Sequence, residues 1–170
     1  MCLLAARLSS IETNAMKRPL GKCLLAVMSA AVLLSGCGDD RREERLAAAG
    51  PKPSLESLLK VADAKSGGRK FRQCAACHSV LEGAMDRGGP NLFGVFGRKF
   101  GTNSTRYGYT AALTGAGGTW DERTLDSWIA APSAMIPGTS MQFSGVPDPL
   151  DRADLIAYLK TQVPSPNGLR

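Results

Sequence analysis

Cys74-Ala75-Ala76-Cys77-His78 decides the reading of this 170-residue chain. Two thiols two residues apart, followed at once by a histidine, form the attachment sequence for a c-type haem. The thiols can bond the two vinyl groups of one haem, and the imidazole reaches the iron from the same face. A bare Cys-x-x-Cys has rivals, a redox disulfide or half a zinc site. His78 is the chain's single histidine, so a Cys2His2 zinc site cannot be built. A cysteine-rich zinc site would need Cys2, Cys23 or Cys37, all in the N-terminal region. The motif therefore predicts one covalently bound haem c per chain, with His78 as an iron ligand.

The iron's other axial position has no second histidine to fill it. Past the N-terminal region the thioether candidates are Met85, Met135 and Met141. Met85 lies 7 residues past His78, too near to cross to the opposite haem face. Met135 and Met141 flank a Pro-Gly turn, and spacing does not separate them. A methionine in a loop is more often a gap-filler in a core.

Hydrophobic content of 44% and charged content of 21% exclude a chain disordered throughout. The 19 glycines and 10 prolines predict a loop-rich fold. The formal charge of +6 includes Arg7, Lys17, Arg18, Lys22 and Glu12; removing residues 1–36 lowers it by three, to +3. That is too mild and dispersed for nucleic-acid binding, and no basic block interleaved with aromatics occurs.

Residues 1–36 read as an N-terminal extension and signal peptide. Lys17, Arg18 and Lys22 precede an apolar run from Cys23 to Leu34, too short to span a membrane but of signal-peptide length. Met16 is the expected true start. Leu34-Ser35-Gly36-Cys37 resembles a lipobox, which would make Cys37 the lipidated first residue; an uncleaved signal anchor is the alternative. Residues 37–54 carry mixed charge and then Ala, Gly and Pro, a composition that predicts a flexible linker with no binding role. The domain is expected over 55–165, with a tail at 166–170.

Within the domain, Leu55, Leu58, Leu59 and Ala62 follow helical spacing, and Asp63 can cap a helix running through Phe71. Glycines Gly67 and Gly68 inside that helix suggest close approach of another. Leu125, Trp128 and Ile129 share one face of a helix opened by Asp121 and Glu122 and stopped by Pro132. Asp148 and Pro149 open a last helix with Leu155, Ile156 and Leu159 on its inner stripe. Residues 101–119 give no helix signal. The prediction is all-α: three to four main helices whose long loops wrap one haem, which answers the objection that such loops are rare in small domains.

Five ordered motifs now matter together: the attachment sequence, Gly89–Lys99, Trp120–Leu125, Ile136–Met141 and Arg152–Lys160. From about Asp63 to Val163 the chain resembles a class I cytochrome c, close to the mitochondrial type, here in a membrane-tethered bacterial form. The resemblance implies that Met141, not Met135, is the sixth ligand, and that the Pro90 carbonyl accepts the His78 ring N–H. It places Arg98, Tyr109, Trp120 and Thr139 on the propionate side of the haem. Gly67, Phe71 and Tyr158 match the contact where first and last helices cross. Taken from the residues alone, Trp120 and Tyr109 read as core aromatics.

Departures from the family are informative. Trp128 stands where a tyrosine bonding the methionine sulfur is usual, and Leu113 where an asparagine is. The lysines around the exposed haem edge are largely missing, with Ser140, Gln142 and Ser144 around Met141 instead. What the resemblance implies is an electron-transfer protein and not an enzyme; together with the signal and lipobox reading, a periplasmic, monomeric carrier anchored at the outer face of the inner membrane is expected. Its partners would be a quinol-oxidising complex and a terminal oxidase. A cytochrome subunit serving one periplasmic dehydrogenase is the alternative. A haem enzyme or sensor lacks any visible distal acid–base residue.

Overall fold

The computed structural model describes residues 41–164; Met16, the signal segment, Cys37 and the tail 166–170 lie outside the described residues. The chain divides into two compact units, 1–38 and 39–170, and the second holds all that follows.

Helix α7 (Pro149–Thr161) is the longest among the described residues, and its start follows from its sequence. Asp148 accepts the Asp151 amide at 3.0 Å, and Pro149 occupies the first turn, where its missing N–H costs nothing. Leu150, Ala153, Leu155, Ile156 and Leu159 are buried along it.

Against α7 crosses α3 (Ala64–Lys70), capped by Asp63, which accepts the Lys65 amide at 2.8 Å. A Cβ at Gly67 would overlap the Asp154 carbonyl and the Tyr158 Cβ. A residue without a side chain is therefore what lets the two backbones touch. Phe71 and Tyr158 pack beside it, ring centroids 5.4 Å apart. From there α3 tightens into a 3₁₀ turn (Phe71–Gln73) that delivers Cys74.

Helix α5 (Glu122–Ala130) opens with a capping box in which Asp121 and Thr124 bond each other's backbone N–H at 2.8 Å. It buries Leu125 and Trp128 and is pinned to α7 by Arg152–Asp126 at 2.7 Å. Pro132 then starts a single turn, α6 (Pro132–Met135). Helix α4 (Ala111–Gly115), capped by Thr110, lies in the stretch that gave no signal, because five residues are too few to show a period. Among the described residues there is no named strand, only an antiparallel bridge between Lys99 and Thr119. One apolar cluster joins Phe71, Val95, Phe100, Leu113, Trp120, Trp128, Ile136 and the inner side of α7.

The expectation of a flexible linker over 37–54 needs correction. Residues Arg42–Ala49 form a helix, α1, and after Gly50 the chain enters α2 (Leu55–Lys60), capped by Ser54. Leu46 and Ala49 pack against a second cluster of Leu58, Leu150 and Ala153. Arg45 is buried and pairs with Asp154, while Arg42 pairs with Asp148 and with Asp151 at 2.7 Å. The charge run looked solvated because its partners lie more than 100 residues away, beyond any local reading.

Candidate haem site

His78 follows the 3₁₀ turn in a loop whose backbone curls back on Cys74: the Cys77 and His78 amides donate to the Cys74 carbonyl at 3.1 and 2.9 Å. Its Nδ1 lies 2.7 Å from the Pro90 carbonyl. A carbonyl only accepts, so Nδ1 carries the proton and Nε2 keeps its lone pair. Burial pushes the imidazole's pKa down, and the Pro90 contact pulls it partly back. The ring is therefore neutral at neutral pH, with the Nε2 lone pair available to a metal.

Gly89 makes this position possible. Its amide donates to the Cys77 carbonyl at 2.8 Å, and a Cβ there would overlap the imidazole. At Gly88 a Cβ would press on the Cys77 sulfur at 3.2 Å. Cys77 is exposed and Cys74 half-buried, and no disulfide joins them. Burial pushes the Cys74 thiol up to about 11. A thiol raised in this way is a weak nucleophile, so Cys74 is not itself an activated redox cysteine. Among the described residues no three His, Cys, Asp or Glu side chains converge to hold a metal ion.

A polar scaffold absent from the sequence reading holds the Pro90 loop. Buried Asn91 donates from Nδ2 to the Leu81 and Ala84 carbonyls at 2.8 and 2.9 Å, and accepts the Phe93 amide at 2.9 Å. Asp86 accepts the Asn91 amide at 2.7 Å and the Ser104 hydroxyl at 2.6 Å. Asn103 donates to the Asn91 carbonyl at 2.6 Å. The signal was present: a polar residue after Pro90 in an otherwise apolar Leu-Phe stretch has to be bonded if buried.

The remaining predicted residues fall into three groups. Arg98 and Trp120 are brought together by backbone pairing, the Trp120 amide donating to the Arg98 carbonyl at 2.8 Å. Arg98 is exposed, whereas Trp120 is buried between Phe100 (4.1 Å) and Trp128 (5.3 Å). Tyr109 sits on the next loop, its phenol accepting the Ser104 amide at 3.0 Å, and burial pushes its pKa up. Thr139 and Met141 share a turn in which the Thr139 hydroxyl accepts the Met141 amide at 3.2 Å. Cys74, Tyr109, Met135 and Met141 all pack on the central cluster, while Met85 is 76% exposed and does not belong to it. Leu113 is buried in that cluster, so an apolar contact fills a place where the family has a polar side chain. Ser140, Gln142 and Ser144 are exposed around Met141.

A helical domain, over the described residues, that presents two cysteines and a carbonyl-fixed imidazole within five residues is built as a c-type haem protein. A cytochrome c homolog from Bradyrhizobium diazoefficiens is 41% identical over 128 residues, 75% of this chain and 69% of that protein. Cytochrome c from Gossypium barbadense is 48% identical over 99 residues, 58% of this chain and 88% of that protein. Among solved structures, cytochrome cH from Methylobacterium extorquens is 42% identical, with a TM-score of 0.56 over 59% of this chain and 99% of that one. No family model matches the sequence. The chain belongs to the cytochrome c family, as a class I c-type cytochrome. It is an electron-transfer protein that binds haem c covalently, and not an enzyme.

Proposed function

We propose that this chain is a monomeric, mono-haem carrier held at the outer face of a bacterial membrane. In this reading Cys74 and Cys77 hold the haem through thioethers, His78 and Met141 are the axial ligands, and Cys37 carries the lipid. The observation that carries it is the hydrogen bond from His78 Nδ1 to the Pro90 carbonyl, which leaves Nε2 free to donate. Bound haem supplies reversible one-electron Fe(III)/Fe(II) chemistry, at relatively high potential where the ligands are His and Met.

The protein's own part is to hold these groups still. Gly89 leaves room for the imidazole, and Asn91 and Asp86 fix the loop that carries Pro90. The Thr139 hydroxyl holds the Met141 backbone. Arg98, Tyr109 and Trp120, with Thr139, are the proposed propionate side, and Trp128 is the proposed neighbour of Met141. Two axial ligands that stay bound keep exogenous molecules off the iron and limit its reorganisation.

The basic flank, apolar run and lipobox-like Leu34–Cys37 support a periplasmic site on the inner membrane. Among the described residues no helix is long and apolar enough to cross a membrane. The partners on this reading are a quinol-oxidising complex and a terminal oxidase. Met141→Ala should keep the haem covalently bound but lose the thioether–iron(III) charge-transfer band at the red end of the visible spectrum. Retention of that band would transfer the ligand to Met135. Pull-down from membranes yielding one dehydrogenase in place of respiratory complexes would overturn the partner assignment.

A further inference from the structure

Helix α1 lies ahead of Asp63, where the resemblance to the family begins, yet it packs into the helix pair that carries the haem-attachment loop. Asp154 of α7 is fully buried, and its carboxylate accepts from Arg45 of α1, from the Asp63 amide at 2.8 Å and from Lys70 Nζ at 3.4 Å. Asp63 caps one end of α3, Lys70 closes the other, and Gly67 between them rests on the Asp154 backbone. One residue of α7 thus touches α3 at its start, middle and end. The grip reaches the haem site through the backbone. Lys70 leads into the 3₁₀ turn, where the Phe71 carbonyl accepts the Cys74 and Ala75 amides at 2.8 and 3.0 Å.

A buried carboxylate is costly without a close counter-charge. Arg45, itself buried, supplies one. Its Nε donates to the Val61 carbonyl at 2.8 Å, which fixes the guanidinium between the end of α2 and α7. Lys70 is a poor substitute, because its ammonium is shared with Asp151, 3.3 Å away. Across this interface Arg42, Arg45 and Lys70 meet Asp148, Asp151 and Asp154, and both arginines come from α1.

We propose that Arg45 is a positioning residue for the haem-attachment loop. By balancing Asp154 it lets one carboxylate hold both ends of α3, and so keeps Cys74 in place against the haem it bonds. The proposal rests on the reading of Cys74 and Cys77 as the haem-bearing cysteines. The unit that carries the electron then starts at α1 and not at Asp63.

The test compares the full-length, haem-loaded protein with its Arg45→Met variant, which keeps an unbranched apolar stem and removes the charge. Amides of residues 64–78 should exchange with solvent about tenfold faster or more in the variant, with those of α5 unchanged. Soret circular dichroism, which reads how the haem sits against its surroundings, should change with them. Asp121→Ala loosens the domain at a different helix and should leave that Soret signal at its wild-type value. Adding Asp154→Asn to Arg45→Met removes the unbalanced charge and should bring exchange of 64–78 back to within about threefold of wild type. Wild-type exchange of 64–78 in Arg45→Met would overturn the proposal. An equal acceleration of α5 with an unchanged Soret signal would do the same, by reducing Arg45 to general stability. If Arg45→Met does not fold, Arg45→Lys keeps a charge but cannot hold Asp154 and Val61 together. It should loosen the same residues by a smaller factor, and wild-type exchange there counts against the proposal. Cys74→Ala combined with Cys77→Ala separates the two readings: haem that stays with that chain on a denaturing gel overturns the attachment reading and leaves the exchange result standing.

Discussion

His78 shows how few atoms define this site. Its ring is held on one side by the Pro90 carbonyl and bounded on another by a residue that has no side chain. Gly89→Ala should force the imidazole to tilt or the loop to shift, costing about 1–3 kcal/mol of stability. Guanidinium unfolding of the haem-loaded variant measures that cost, and a wild-type midpoint would show that the loop yields freely. The thiols and His78 were legible because the attachment sequence is local, whereas the Pro90 carbonyl as the partner of His78 came from the resemblance. Gly89's steric role came from neither, since a glycine beside a proline reads first as a turn. The choice between Met135 and Met141 came only from resemblance: both are part-buried against the same cluster.

At the scale of elements, the α3–α7 crossing and the capped start of α5 carry the argument. Gly67→Ala would drive a methyl group into the Asp154 backbone carbonyl, which cannot rotate aside. The expected loss is about 3 kcal/mol or more, against under 1 kcal/mol for alanine at an exposed helical glycine. Thermal unfolding distinguishes the two, and a neutral result would mean that the helices do not cross at this residue. Asp121→Ala removes one half of a capping box and should cost about 1 kcal/mol. The helices around α3, α5 and α7 were readable from caps and apolar spacing. Helix α4 was too short to announce itself, and α1 is stabilised by ion pairs to a helix at the other end of the chain.

For the whole molecule, charge decides both docking and acid stability. Ser140, Gln142 and Ser144 give the surroundings of Met141 an uncharged polar face, so electron exchange with a partner there should change little between low and high salt. A steep salt dependence in stopped-flow would place docking elsewhere. Acid acts through a different set of groups. The Ser104 hydroxyl and the Asn91 amide hold the Asp86 carboxyl below its ordinary value. The Thr124 amide does the same for Asp121, and Lys160 for Glu122. A carboxyl whose folded pKa is depressed contributes stability above its unfolded pKa, and that contribution fades as pH falls through the folded one. Stability should therefore be flat from neutral pH down to about 5 and decline below about 4. Asp86→Asn should lose about 1 kcal/mol at pH 7, since asparagine cannot replace both acceptances, and show a shallower acid decline. Because Asp86 bonds the residue after Pro90, whose carbonyl holds His78, the acid decline should be accompanied by a change in the haem spectrum. Unfolding midpoints from pH 7 to 3, wild type against variant, decide it: parallel curves would remove Asp86 from the account and leave Asp121 and Glu122 as the acid-sensitive groups.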